Sequence, residues 1–272
     1  MELTNTFQES FYNGILSKTD FLNSDVTQGF IKWLIPFIDG KRNLIELGLK
    51  HKSFNEAIII YKWGKGNVKE DFEGTFKRFE DYRNVFQGSD EVKLRSTCLE
   101  ILKWGGVLPT NQEKINRRIN LKEFLYQINH QISQEQIIID DLNPNHINSG
   151  YTKIYAALNE SFIIYDGRVG AALCYLIRKH LENKSLNIIP SELIFGWGIG
   201  RGNKNRDPSS ELIKFKEITT SRDLHFISNI KANWLLENIA KDESIGLKNI
   251  KEYPKRVFAL QTALFVIGEE IT

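Results

Sequence analysis

The sequence predicts a mainly α-helical, multi-helix globule. Three observations carry that expectation. Apolar residues recur at three- and four-residue steps along most of the chain. Ser, Asp and capping-box patterns stand immediately before several of those runs. Only six prolines, and no Gly/Ser/Pro linker, interrupt 272 residues. About nine helices and at most two short strands follow, in a single unit over residues 1–272. A division into an N-terminal helical lobe (1–108) and a second lobe (109–272) is expected within it.

Residues 25–38 place Phe30, Trp33, Leu34, Phe37 and Ile38 on one stripe before Asp39-Gly40 ends the helix. Ser53 and Glu56 form a capping-box pattern ahead of the apolar run 57–63. The β-branched residues there also allow a short buried strand. Phe72, Phe76, Phe79, Tyr82 and Phe86 recur at helical spacing, as a stripe facing a core rather than a stacking platform. Asp90 caps a helix running through Leu94, Cys98, Ile101 and Leu102, and Gly105-Gly106 stops it, with Trp104 packed over the stop. Lys114, Arg117 and Arg118 make a basic stripe of the kind usual on a wet helix face. Residues 121–132 are amphipathic, and 134–139 form a short apolar run. A turn-rich segment, 143–150, feeds a short helix over about 152–158. The run Phe162, Ile163, Ile164, Tyr165 is extended and apolar. Asp166 then opens a helix that buries Val169, Ala172, Leu173, Leu176 and Ile177, with Cys174 a small core residue. Two final helices span about 221–240 and 253–267, the last almost wholly apolar.

Composition narrows function by exclusion. Lys and Arg number 36 against 34 Asp and Glu, so the chain is no polyanion-coating protein, though one basic face remains compatible. Its two cysteines, Cys98 and Cys174, form no CxxC, and no HExxH occurs, which excludes a disulfide scaffold or zinc ribbon and suits a reducing cytoplasm. The five histidines show no metal spacing, and His146 alone stands beside the segment described next. No cofactor and no metal are expected. The first thirty residues show no signal-peptide pattern, and no apolar run approaches the roughly 20 residues of a membrane helix. Aromatic residues make up 11% of the chain.

The chemistry concentrates in Asn148-Ser149-Gly150-Tyr151-Thr152-Lys153 and, thirteen positions after Lys153, Asp166-Gly167-Arg168. The turn delivers Lys153 into a first helical turn, where the partial positive charge of the helix N-terminus disfavours an ammonium. A neutral lysine amine is a nucleophile able to form a Schiff base. Asp166, at the start of the next helix, accepts backbone N–H bonds and stays ionised, ready to stabilise a developing cation or take a proton. The ordinary roles of these residues are a solvated lysine and an N-cap; what singles them out is the pair, flanked by turn chemistry and an arginine.

The wording Gly150-Tyr151-Thr152-Lys153, followed by Ile164-Tyr165-Asp166-Gly167-Arg168-Val169-Gly170-Ala171-Ala172-Leu173, resembles DNA glycosylases of the helix-hairpin-helix superfamily. The likeness is closest to bacterial proteins with the 8-oxoguanine glycosylase fold, and it covers about thirty residues. It implies a two-lobed helical architecture and a hairpin at Ile147 to Thr152 that grips DNA phosphates. It further implies that Lys153 attacks the sugar carbon in a bifunctional enzyme and that Asp166 assists base loss.

The function expected on this basis is a DNA glycosylase, with lyase activity through Lys153, acting on a flipped modified or damaged base. DNA contacts are expected at Asn148, Gly150, Tyr151, Thr152 and Arg168. The Gly-rich segment 196–208 fits neither a dinucleotide nor a Walker pattern, but Arg201, Lys204 and Arg206 can meet phosphates and Trp197 can stack on a base. Tyr151, Tyr165 and Trp197 are the candidates for the base pocket. The alternative is a non-catalytic helical module that binds DNA or a protein partner in a bacterial defence or mobile-element system. A third is a structural subunit that docks a partner through aromatic surface.

Overall fold

Side-chain caps set most helix starts. Ser17, Ser24, Ser53, Asp71, Asp90, Asp166 and Ser221 each accept a backbone N–H two or three residues downstream, worth about 1 kcal/mol apiece. The computed structural model describes residues 6–64, 69–200, 204–247 and 250–271, and within them lie twelve α-helices and a two-stranded sheet. The chain begins α1 (Thr6–Tyr12), β1 (Ile15–Ser17), α2 (Lys18–Asn23), α3 (Asp25–Ile38) and α4 (Phe54–Ile60). It continues α5 (Phe72–Gln87), α6 (Glu91–Trp104), α7 (Leu108–Arg117), α8 (Leu121–Ile132) and β2 (Gln136–Ile138). It closes with α9 (Tyr151–Leu158), α10 (Gly167–Asn183), α11 (Arg222–Lys241) and α12 (Tyr253–Ile267). The fold is mainly helical, as the periodicity predicts. The ambiguous run after Ser53 is helical to Ile60, because Ser53 caps it at Glu56 N.

The aromatic stripe of α5 is core. Phe72, Phe76 and Phe79 set their ring centroids 5.7, 5.5 and 5.7 Å from that of Phe258 on α12. α12 also lies against α4, α10 and α11. One cluster of buried apolar residues runs from Phe7 to Ile271, across the 108/109 boundary. Burying each such aromatic side chain stabilises the fold by roughly 1.5–3 kcal/mol.

Two features place the chemistry-bearing segment. The first is residues 162–165, which are extended yet pair with no strand among the described residues. Their buried backbone is satisfied by side chains instead. Ile163 N–H donates to Asn233 Oδ1 (2.9 Å) and Ile164 N–H to Gln261 Oε1 (2.7 Å). The Ile163 carbonyl accepts from Asn229 (3.4 Å), and His225 Nε2 lies 3.0 Å from the Tyr165 carbonyl. The second is a crossing of three backbones at the start of α10. Gly198 N–H donates to the Gly167 carbonyl at 3.2 Å. A Cβ on Gly167 would sit 2.8 Å from Gly198 Cα, one on Gly170 2.2 Å from the Gly196 carbonyl oxygen, and one on Gly268 1.9 Å from that of Arg168. The glycines at 196 and 198 therefore serve close packing, Gly198 against Gly167 of α10 and Gly196 against the Ile218 and Leu224 side chains, not phosphate contact.

The expected hairpin takes another form. Residues 133–150, which include β2 and two 3₁₀ turns, separate α8 from α9, so the 147–152 turn does not join two α-helices. Among the described residues, no helix is long and apolar enough to cross a membrane.

Candidate active site

Lys153 lies in the first turn of α9, which the 143–150 turn starts. Asn148 organises that start. Its Oδ1 accepts from Gly150 N–H (2.7 Å) and Tyr151 N–H (3.0 Å), and its amide donates to Asn111 Oδ1 (3.0 Å). A Cβ on Gly150 would meet the Asn111 amide at 2.6 Å. Thr152 is fully buried, and its hydroxyl donates to the Ser149 carbonyl at 3.3 Å. The Lys153 stem passes over the end of α6, where a side chain on Gly105 would collide with Cδ at 2.4 Å. Its amine is buried and donates one hydrogen bond, to the Ser149 carbonyl at 2.6 Å. Burial holds the amine below the ordinary lysine pKa; the Asp166 carboxylate opposes this shift and Arg168 adds to it.

Asp166 caps α10 through one oxygen, Oδ1, which accepts from Arg168 N–H (2.9 Å) and Val169 N–H (3.2 Å). Its second oxygen enters no hydrogen bond among the described residues. His225 stands behind it on the Tyr165 carbonyl, with its imidazole pKa lowered by burial.

Lys153 and Asp166 line one cavity. Its other walls are Tyr61, Trp63, Trp104, Gly105, Ile164, Phe258, Gln261, Thr262 and Phe265. The cavity is narrow and partly enclosed and holds about 40 Å³, room for one water molecule. Trp104, which lines it, has a buried indole N–H that finds no acceptor among the described residues. The Trp63 indole donates instead to the Trp104 carbonyl, at 3.0 Å. Trp63 and Phe265 meet edge to face at 5.3 Å, and Tyr61 meets Phe265 at 5.9 Å. These three rings also wall an open outer cleft of about 420 Å³.

Arg168 and Lys204 line that outer cleft. The Arg168 guanidinium lies 4.4 Å from the Phe265 ring centroid and 5.4 Å from that of Trp63, and its Nε contacts Glu269 Oε2 at 2.6 Å. Lys204 and Arg206 reach the same Glu269 carboxylate. No family model, curated protein or solved structure matches the chain.

The structure thus gathers Lys153, Asp166, Arg168 and Lys204 around one pair of adjoining spaces, ties Arg206 to the outer one through Glu269, and leaves the other expected contacts elsewhere. Asn148, Gly150, Tyr151 and Thr152 shape the root of α9, and the N–H groups of Gly150 and Tyr151 are taken by Asn148 rather than left for phosphate. Tyr151 is buried and stacked on Tyr155 at 5.9 Å. Tyr165 is buried with its hydroxyl on the Gly196 carbonyl. Trp197 is a core residue rather than a stacking platform: it is buried and its indole donates to the Phe215 carbonyl at 3.2 Å. Arg206 is 8% exposed and tied to Glu269. Arg201 lies outside the described residues. His146 packs edge-on to Phe124 at 4.8 Å, a turn residue.

Sequence reasoning missed Trp63, Trp104, Gly105, His225 and Glu269. Trp104-Gly105 reads as a helix stop and is one, yet it also walls the cavity. The signal for Gly105 was the second glycine: Gly106, at φ +69°, already meets the positive-φ requirement of the stop, which leaves Gly105 (φ −73°) to be explained by contact.

Proposed function

We propose that the chain is a DNA glycosylase with lyase activity. One observation carries this reading: Lys153 and Asp166 line the same aromatic-walled cavity, and one of its wall residues, Trp104, has a buried indole N–H with no acceptor among the described residues. In the free protein the space takes a water molecule, so a base enters only when the wall of Tyr61, Trp63 and Phe265 swings toward the outer cleft. Extrusion of the nucleotide costs a few kcal/mol, which stacking on these rings offsets. The Trp104 N–H then supplies a donor for a base acceptor.

As the glycosidic bond breaks, its electron pair leaves with the base, and positive charge develops at the sugar C1′. The uncommitted oxygen of Asp166 stabilises that charge. The neutral Lys153 amine attacks C1′, and loss of its protons with opening of the sugar ring gives an imine. Burial lowers the pKa of the amine toward the neutral form that attacks, and Gly105 supplies the space its stem needs.

Borohydride trapping tests this. The chain is incubated with duplexes carrying an abasic site or one of a panel of damaged bases. A covalent adduct that disappears in Lys153→Met is the expected result. No adduct with any substrate ends the lyase reading. A non-catalytic DNA-binding module is favoured by a different observation, the small volume of the cavity with the Lys153 amine held on the Ser149 carbonyl. On that reading DNA binds, and neither base release nor adduct occurs.

A further inference from the structure

Glu269 sits in an unusual position. Arg168 Nε and Arg206 Nη2 lie 2.6 and 3.2 Å from its Oε2, and Lys204 Nζ bonds its Oε1. One carboxylate therefore takes three cations. Its place is built, because Gly268 packs so tightly on the Arg168 carbonyl that no side chain fits there, and Glu269 is held over the first turn of α10. The Arg206 Nε also donates to the Glu269 backbone carbonyl at 3.1 Å. The surrounding cleft carries more positive charge: Lys50 and Lys69 line it and form no ion pair among the described residues. A carboxylate with two oxygens shared among guanidinium and ammonium groups offers the same paired acceptors and single negative charge as the two non-bridging oxygens of a phosphodiester.

We propose that the outer cleft binds a phosphoryl oxyanion, and that the Glu269 carboxylate occupies its place in the free protein. On the glycosylase reading, from which this takes the source of the anion, the ligand is the DNA phosphate beside the extruded nucleotide. Exchange has a consequence for the inner cavity. Arg168 bridges the two spaces, since its guanidinium lies on Phe265 and Trp63, both wall residues. When phosphate replaces Glu269, Arg168 follows the phosphate and frees the wall to open.

The test uses the whole chain, an abasic duplex oligonucleotide and, separately, inorganic phosphate. Glu269→Gln keeps the shape and removes the competing charge. Its DNA affinity should rise about tenfold at 0.1 M salt, and the slope of log affinity against log salt should steepen by about one unit, the signature of one more phosphate neutralised. Lys50→Gln/Lys69→Gln, at sites that do not touch Glu269, should weaken DNA binding about tenfold with an unchanged melting temperature. Inorganic phosphate should compete with DNA in the wild type. If the variants alter phosphate binding alone, the oxyanion site stands with free phosphate as its ligand. If Glu269→Gln weakens both ligands while remaining folded, or if neither variant changes either ligand, the proposal is overturned. The borohydride adduct at Lys153 is scored apart: an absent adduct with a Glu269-controlled salt slope removes the glycosylase reading and leaves the anion site. An adduct with Glu269→Gln binding like wild type does the reverse.

Discussion

Two buried lysines should respond in opposite ways to the same substitution, methionine. Lys153 donates a single hydrogen bond, and its acceptor, the Ser149 carbonyl, also accepts from the Thr152 hydroxyl. Lys153→Met therefore loses one hydrogen bond, about 0.5–1.5 kcal/mol, without orphaning a carbonyl. It also relieves the burial of an ionisable group, a penalty of several kcal/mol, and the thioether lies along the same channel over Gly105. The net is a variant as stable as wild type or about 2 kcal/mol more so, with no borohydride adduct. Lys231 is the contrast. Its ammonium donates to the carbonyls of Ser191, Glu192 and Ile194 at 3.0, 3.1 and 2.8 Å. Lys231→Met removes all three bonds at once and should destabilise the fold by about 2–4 kcal/mol after the same relief is credited. Urea denaturation followed by far-ultraviolet circular dichroism at pH 7 measures both. A loss above about 2 kcal/mol in Lys153→Met, matching Lys231→Met, would mean that the Lys153 amine holds the fold together. Its role as a reserved nucleophile would then fail.

The remaining predictions concern the same framework. Burial lowers the Lys231 pKa to about 7 from the ordinary lysine value of 10.5. Between those values the unfolded chain binds a proton that the folded chain does not, so this contribution to stability grows as pH rises through the window and is lost as pH falls through about 7. The stability difference between wild type and Lys231→Met should accordingly widen in favour of wild type from pH 7 to about 9.5; a flat difference would refute the assignment. Asp166→Asn keeps an oxygen to cap α10, so stability should stay within about 1 kcal/mol while base release falls about a hundredfold or more. Unchanged release in a single-turnover assay would remove Asp166 from the chemistry. Gln261→Leu strands the buried Ile164 N–H and should cost about 1–3 kcal/mol in urea, with faster amide exchange at Ile164 as the local readout.

The helices and the Lys153/Asp166 pair were legible in the sequence because each rests on local chemistry. Caps at Ser24, Ser53, Asp71, Asp90, Asp166 and Ser221 act within three residues of themselves. α1 and α2 escaped because seven and six residues hold too few turns to show a period. The wall of the cavity escaped for a different reason. Tyr61, Trp63, Trp104, Phe258 and Phe265 come from three distant stretches, and each alone is an ordinary aromatic on an apolar run. The basic loop was read without its carboxylate because its cations were visible and their partner was not: Glu269 lies more than sixty positions downstream of Lys204 and Arg206. Asn229, Asn233 and Gln261 were the overlooked clue, since amide side chains in nearly apolar helices require buried partners.

Those amides give residues 162–165 a property that a sheet strand lacks. In a ladder every rung is alike, so a strand that slides by two residues recovers its hydrogen bonds and its facing. Here each rung is a different side chain fixed to its own helix, and a slide of any size loses Asn233, Gln261 and His225 together. The segment works as a key in a lock rather than a zip. Asp166, one residue beyond the last tooth, is indexed to α11 and α12 to within the tolerance of a hydrogen bond. Helix motion at the C-terminal end of the chain is therefore converted directly into displacement of the carboxylate relative to Lys153.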